Sequence, residues 1–243
     1  MEIKRKEIKF LTNYENTIKL KKSLVKLLYH DRNTIRNDKY YNVLSIYFDN
    51  QNFQFYLDKI EGIDNRIKPR LRFYFNEKNQ PKKCFLELKK KYNQMIFKEK
   101  VQISLSDAEL ILAGKINFIY QKYSKNKTFI EFFLLHKKFF LKPKIRVKYK
   151  REATYCKYYN NLRITFDKFL KASIISLNNI STKNYLPIID SDLQIIELKF
   201  DYAIPDVILK EFKNIELQQS TFSKYAESIN KCYNFKKHMH SVT

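Results

Sequence analysis

Four cations stand at alternate positions in one short stretch, Arg66-Ile67-Lys68-Pro69-Arg70-Leu71-Arg72-Phe73. Side chains two apart share a face of an extended strand. Arg66, Lys68, Arg70 and Arg72 therefore line one side, and Ile67, Leu71 and Phe73 the other. Such a row suits the oxygens of a polyanion, because guanidinium forks bind phosphate bidentately and ammonium groups act as point charges. It cannot be buried bare, since taking each ion out of water costs several kcal/mol. Either the cationic face looks at water, or it lines a wet cavity together with acids and an anionic ligand.

Acids at matching spacing recur elsewhere. Glu-x-Lys occurs in strand-like context at Glu7/Lys9, Glu87/Lys89 and Glu197/Lys199, each time opposite apolar residues. Arg163, Thr165 and Asp167 likewise oppose Leu162, Ile164 and Phe166. One strand of this kind is the usual solvated face of a sheet. The whole set, charged at nearly every position of one face, suggests a different arrangement. An α+β fold is expected: a closed, antiparallel eight-stranded β-barrel with a charged interior and an apolar exterior covered by helices. A barrel of about eight strands has room for a ligand.

The elements that must position these residues follow from periodicity. Strands are predicted over 2–10, 40–48, 66–74, 84–92, 95–105, 143–157, 162–170 and 193–201. Helices are predicted over 13–28, with Thr12 or Asn13 as cap, over 53–60, from Ser106, over 205–212 and over 222–233. Residues 76–82 and Asn160-Asn161 read as turns, and 171–192 as an irregular connection. The strand over 143–157 is ambiguous: either Lys144, Arg146 and Lys148 face inward, or Tyr149 and Arg151 do.

Composition bounds the partner class. In 243 residues, 48 Lys+Arg against 25 Asp+Glu give a net charge of +23, a field that attracts nucleic acid, anionic membrane or polyphosphate. Part of this excess belongs to a chain rich in Lys, Asn and Ile generally. Three widely spaced cysteines, Cys84, Cys156 and Cys232, argue against a disulfide framework or a structural zinc. A charged start and no apolar run of transmembrane length lead to the expectation of a cytoplasmic protein with no transmembrane segment. With no linker-like stretch, residues 1–243 are expected to form a single domain.

Several blocks together resemble the VTC domain, the polyphosphate polymerase branch of the triphosphate tunnel metalloenzymes. They run Arg5-x-Glu7-x-Lys9-Phe10, Ser45-Ile46-Tyr47-Phe48-Asp49, Arg66-x-Lys68-x-Arg70-Leu71-Arg72, Leu86-Glu87-Leu88-Lys89 and Lys98-x-Lys100. They continue with Tyr149-Lys150-Arg151-Glu152-Ala153, Leu162-Arg163-Ile164-Thr165-Phe166-Asp167, Ile196-Glu197-Leu198-Lys199 and Ser223-Lys224-Tyr225. The related CYTH branch opens with Glu-x-Glu-x-Lys, and Arg5 at the first of those positions favours the polymerase branch.

The resemblance implies a triphosphate tunnel that transfers the γ-phosphoryl group of ATP to inorganic polyphosphate. By position it implies that Arg70, Arg72, Lys89, Arg151, Arg163 and Glu197 form the catalytic set. Lys9, Lys59, Arg66, Lys68, Lys98, Lys100, Tyr149, Lys199, Ser223 and Lys224 would help bind phosphate or nucleotide, and Glu197 would take Mn²⁺ or Mg²⁺. It also selects the inward orientation of Tyr149 and Arg151. Glu7 and Glu87 are expected to pair with cations, and Asp49 to support the turn after its strand. Two other readings stay open: a triphosphate hydrolase of the same fold, and a non-enzymatic polyanion- or RNA-binding module, with nucleic acid the less favoured ligand.

Overall fold

The structure, a computed structural model, describes residues 3–235 apart from 38, 94, 160, 176–183 and 216, with side chains described from residue 6 onward. The position of the Arg5 side chain and most of the basic tail thus lie outside the described residues. The chain begins with strand β1 (Ile3–Asn13) and helix α1 (Tyr14–Leu24). Asn13 caps that helix by accepting a hydrogen bond from the Asn16 N–H at 2.8 Å, which satisfies one of its orphan donors. Then come β2 (Leu28–His30), α2 (Arg32–Arg36), β3 (Tyr41–Asp49) and α3 (Gln54–Ile60). The basic strand is β4 (Arg66–Phe75), followed by β5 (Pro81–Tyr92) and β6 (Met95–Ile103). Helices α4 (Leu105–Leu112), α5 (Tyr120–Tyr123) and α6 (Lys127–Phe139) lead to the long strands β7 (Lys142–Cys156) and β8 (Arg163–Ile174). The chain closes with β9 (Leu186–Pro187), β10 (Leu193–Phe200), α7 (Asp206–Asn214) and α8 (Lys224–Tyr233).

Among the elements not legible in the sequence are β2, α2 and β9, which are short and lack a periodic apolar face. The connection expected over 171–192 is shorter than predicted, because β8 runs on to Ile174 and pairs with β9.

All ten strands belong to one antiparallel sheet in the order β2-β7-β3-β4-β5-β6-β1-β10-β8-β9, and β7 also pairs with β8. The sheet curls, and the β7–β8 pairing brings its two sides together. Its wall is uneven: β7 and β8 pair along most of their length, whereas β1 and β6 share only three described pairs, Ile3–Lys98, Lys4–Phe97 and Arg5–Ile96. The expectation of a closed eight-stranded barrel is corrected to this curled, ten-stranded antiparallel sheet.

Packing explains which face turns inward. Outside, Ile46, Leu71, Phe73, Leu86 and Leu88 pack under α4 and α6 through Ile111, Phe129 and Phe132. Ile164, Phe166, Ile196 and Leu198 meet Leu20, Leu24, Ile208 and Phe212 of α1 and α7. Burying each such side chain contributes about 1.5–3 kcal/mol, which offsets the desolvation of the charges on the opposite face. A second correction concerns the interior. It is not charged throughout: Val43, Tyr47, Ile145, Val147, Leu170, Ala172 and Ile195 form an apolar cluster with Tyr225, Ala226 and Ile229 of α8. Helix α8 therefore plugs the β3–β7–β8 side, and the charges gather beside it.

Candidate functional site

Strand register assembles the charges in cross-strand rows. Directly opposed residues of antiparallel strands share a face. One row runs Lys68–Lys89–Lys98 across β4, β5 and β6, and the next Tyr47–Arg70–Glu87–Lys100 from β3. On the other side of the curl, Glu7–Lys199–Arg163–Tyr155 and Lys9–Glu197–Thr165–Ala153 cross β1, β10, β8 and β7. Three lysines in one row repel one another; Glu7 and Glu87 answer Lys89 and Lys98, and a bound anion would relieve the row further.

Four carboxylates hold the cluster together. Glu87 accepts from Arg70 (Nε at 2.9 Å, a terminal nitrogen at 2.7 Å) and pairs with Lys98 at 2.6 Å. Glu7 lies 3.0 Å from Lys89, 3.3 Å from Lys9 and 3.8 Å from Lys199. Asp167 takes both prongs of Arg151 at 2.6 Å and the Lys224 ammonium at 2.7 Å. Glu197 meets Lys224 at 2.6 Å, Lys199 at 3.0 Å and Arg151 at 3.3 Å. Burial alone would raise the Glu197 carboxyl; Lys199, Lys224 and Arg151 override it and hold the group well below the usual carboxylate range. The same contest, won by Arg70, Arg72 and Lys98, keeps Glu87 ionised.

Cations outnumber these acids. Lys9, Arg70, Arg72, Lys89, Lys98, Arg151, Lys199 and Lys224 share the four carboxylates. Lys68 donates to the Ser223 hydroxyl at 3.0 Å. Burial, then the charges of Lys9, Lys89, Arg66 and Lys59, push its ammonium well below the ordinary lysine range. Lys89 and Lys98 keep 27% and 33% of their side chains accessible, so solvent reaches the cluster.

Most residues singled out from sequence meet here. Arg72 donates to the Tyr149 hydroxyl at 3.1 Å, which sets Tyr149 and Arg151 inward and leaves Lys144 and Lys148 on the other face. Ser223 caps α8 and thereby delivers Lys224. Lys9 donates to the Phe222 carbonyl at 2.8 Å. Burial, then Arg66 and Lys9, lower the Lys59 ammonium, and Arg66 donates to the Ile63 carbonyl. Arg163 is paired with Asp31 at 2.8 Å. Lys100 does not join the cluster: it is exposed, over the Phe85 ring at 5.0 Å. Asp49, the last residue of β3, supports the turn after its strand, accepting from the N–H groups of Asn50, Phe55 and Tyr56 and from the Tyr225 hydroxyl.

Sequence reasoning placed Asp167 and Thr165 on the inner face without giving them a role. Asp167 is as central as Glu197, and the signal was its spacing from Arg163. The buried Thr165 hydroxyl has no hydrogen-bond partner among the described residues, and its row neighbour is Glu197.

The VTC domain pattern matches residues 4–233. The chain belongs to the VTC domain family. No curated protein matches its sequence. Among solved structures it is similar to a putative adenylyl cyclase from Hippeastrum, described as having a dominant triphosphatase activity, with 12% identity over 96% of this chain and 97% of that one and a TM-score of 0.52. A putative adenylate cyclase from Bacillus halodurans (13% identity, 90% and 95% covered, TM-score 0.48) and a protein from Pyrococcus horikoshii (13%, 93% and 99%, 0.49) are also similar. The fold is that of the triphosphate tunnel proteins, a superfamily that uses divalent metal ions.

Whether this VTC domain suits a metal depends on its donors. Among the described residues no group of three or more His, Cys, Asp and Glu could hold an ion alone. Mg²⁺ and similar ions are commonly held by one or two carboxylates with substrate phosphates and water. Glu197, with Asp167 sharing its cations, fits an ion bound jointly with phosphate. Among the described residues no helix is long and apolar enough to cross a membrane.

Proposed function

We propose that this VTC domain is a polyphosphate polymerase that uses ATP. The observation that carries the reading is the surplus of inward-facing cations, with Lys68 surrounded by other cations and donating to the Ser223 hydroxyl. In the reaction a terminal oxygen of the polyphosphate chain forms a bond to the γ-phosphorus of ATP. The bond from that phosphorus to the β–γ bridging oxygen breaks, and ADP leaves. Phosphoryl transfer depends on alignment and charge neutralisation more than on covalent help. The attacking oxygen is already ionised, so no general base is required. Arg70 and Arg72 are held rigidly by Glu87, Tyr47, Ser45 and Tyr149, and such fixed forks stabilise charge without reorganising. Arg151, Lys89, Lys199 and Lys224 neutralise the remaining oxygens, with Arg163 and Lys9 at the edges. Mn²⁺ or Mg²⁺, held through Glu197, would supply charge neutralisation between phosphate oxygens.

A second reading, hydrolysis of a triphosphate, is favoured by α8, whose apolar contacts plug one side of the curl and leave less room for a threaded chain. Nucleic-acid binding is less favoured, because these cations point inward, away from any duplex. Incubation of the purified protein with ATP and Mn²⁺ separates the three. Long polyphosphate with ADP is the expected product. Orthophosphate without polymer would replace the polymerase by the hydrolase, and no turnover with tight, salt-sensitive RNA binding would replace both.

A further inference from the structure

One cross-strand row leaves the charge cluster and ends in aromatic rings. It runs Glu7–Lys199–Arg163–Tyr155–Tyr29 across β1, β10, β8, β7 and β2. Arg163 lies over the Tyr155 ring at 5.2 Å, and Tyr155 stacks on Tyr29 with centroids 5.9 Å apart. Tyr29, Tyr155, Cys156, Tyr159 and Asn161 enclose an open recess of about 430 Å³. Tyr29 and Tyr159 remain 51% and 46% exposed, so the fold does not use them as core. The Arg163 Nε is buried with no hydrogen-bond partner among the described residues, a donor left over at the junction of recess and cluster.

We propose that this recess binds the base of a nucleoside triphosphate whose phosphates occupy the cationic cluster. The proposal rests on the triphosphate reading above. Lys199 and Tyr155 are two strands apart in the row, roughly 10 Å at about 4.8 Å per strand, a span that suits phosphates at one end and a base at the other. Arg163 bridges the two, with its guanidinium available to the phosphate or ribose oxygens between them. Flat tyrosine faces stack on any base, and the Asn161 amide offers a donor and an acceptor to its edge. The recess thus gives the site a means to prefer a nucleotide over inorganic triphosphate.

The test is calorimetric titration of the whole chain with ATP and, separately, with tripolyphosphate. Base stacking of about 1–3 kcal/mol corresponds to an ATP preference of about 5- to 150-fold. Tyr29→Ala should remove most of that preference while tripolyphosphate affinity stays within about twofold; Tyr155→Phe, which keeps the ring, should retain it. Equal binding of both ligands by the unaltered protein, or equal weakening of both by Tyr29→Ala, overturns the base site alone. Binding of neither ligand overturns the triphosphate reading and the base site with it.

Discussion

At the scale of the residue, the site is a set of charges held against their own hydration. Glu87 is 1% exposed and answers Arg70, Arg72 and Lys98 together. Glu87→Gln leaves those cations uncompensated and should destabilise the protein by about 3–5 kcal/mol, with part of the loss restored by tripolyphosphate; thermal melts with and without the anion measure both. Glu197→Gln should abolish metal-dependent turnover, read as loss of product formed from ATP with Mn²⁺, and unchanged activity would remove Glu197 from the site. Lys89 makes a pH signature. Burial, then Lys9 and Lys199, push its ammonium down to about 8 against the pull of Glu7. Below pH 8 it is charged in both folded and unfolded chains, and the full cost of burying it applies. Between about 8 and the ordinary 10.5 the unfolded chain holds more proton, so this residue's contribution to stability rises with pH. Tripolyphosphate affinity, which needs the charged amine, should fall over the same range by up to about tenfold per pH unit. Titrations from pH 7 to 10 on the native protein and Lys89→Met test the pair of opposed slopes; identical slopes in the two proteins would remove Lys89 from the site.

At the scale of the element, α8 couples the fold to the site. Tyr225 stacks on Tyr47 at 5.0 Å and donates to Asp49, while the preceding Lys224 reaches Asp167 and Glu197. That hydrogen bond to a carboxylate, together with the apolar contacts of Ala226 and Ile229, anchors the helix that supplies a central cation. Tyr225→Phe keeps the ring and removes that bond, so it should cost about 1.5–3 kcal/mol and weaken tripolyphosphate binding. Chemical denaturation with calorimetry would check both, and full affinity in this variant would mean that Lys224 is positioned by its ion pairs alone.

At the scale of the molecule, the surplus of positive charge in the curl predicts that anions stabilise the whole fold. Tripolyphosphate at a hundredfold excess over its dissociation constant should add about 2.7 kcal/mol, or roughly 5–11 °C in Tm for a chain of this size. Added salt should weaken the shift, and no shift would argue against an anion site in the curl. Alternation of charged and apolar residues was enough, by itself, to identify the strands and which residues share a face, because side-chain direction in a strand follows position two by two. It was the resemblance to the VTC domain, position by position, that named Arg70, Arg72, Lys89, Arg151, Arg163 and Glu197 as one set. Alternation could not say whether the charged face looked inward, and for the strand over 143–157, charged on both faces, it left the choice open. Those questions depend on contacts distant in sequence: the outer apolar face finding α1, α4, α6 and α7, and the Arg72–Tyr149 bond turning Arg151 toward Asp167. The apolar plug under α8 and the thin β1–β6 seam were likewise decided only in three dimensions, since an inward Val or Ile in one strand has no local signal for what will cover it.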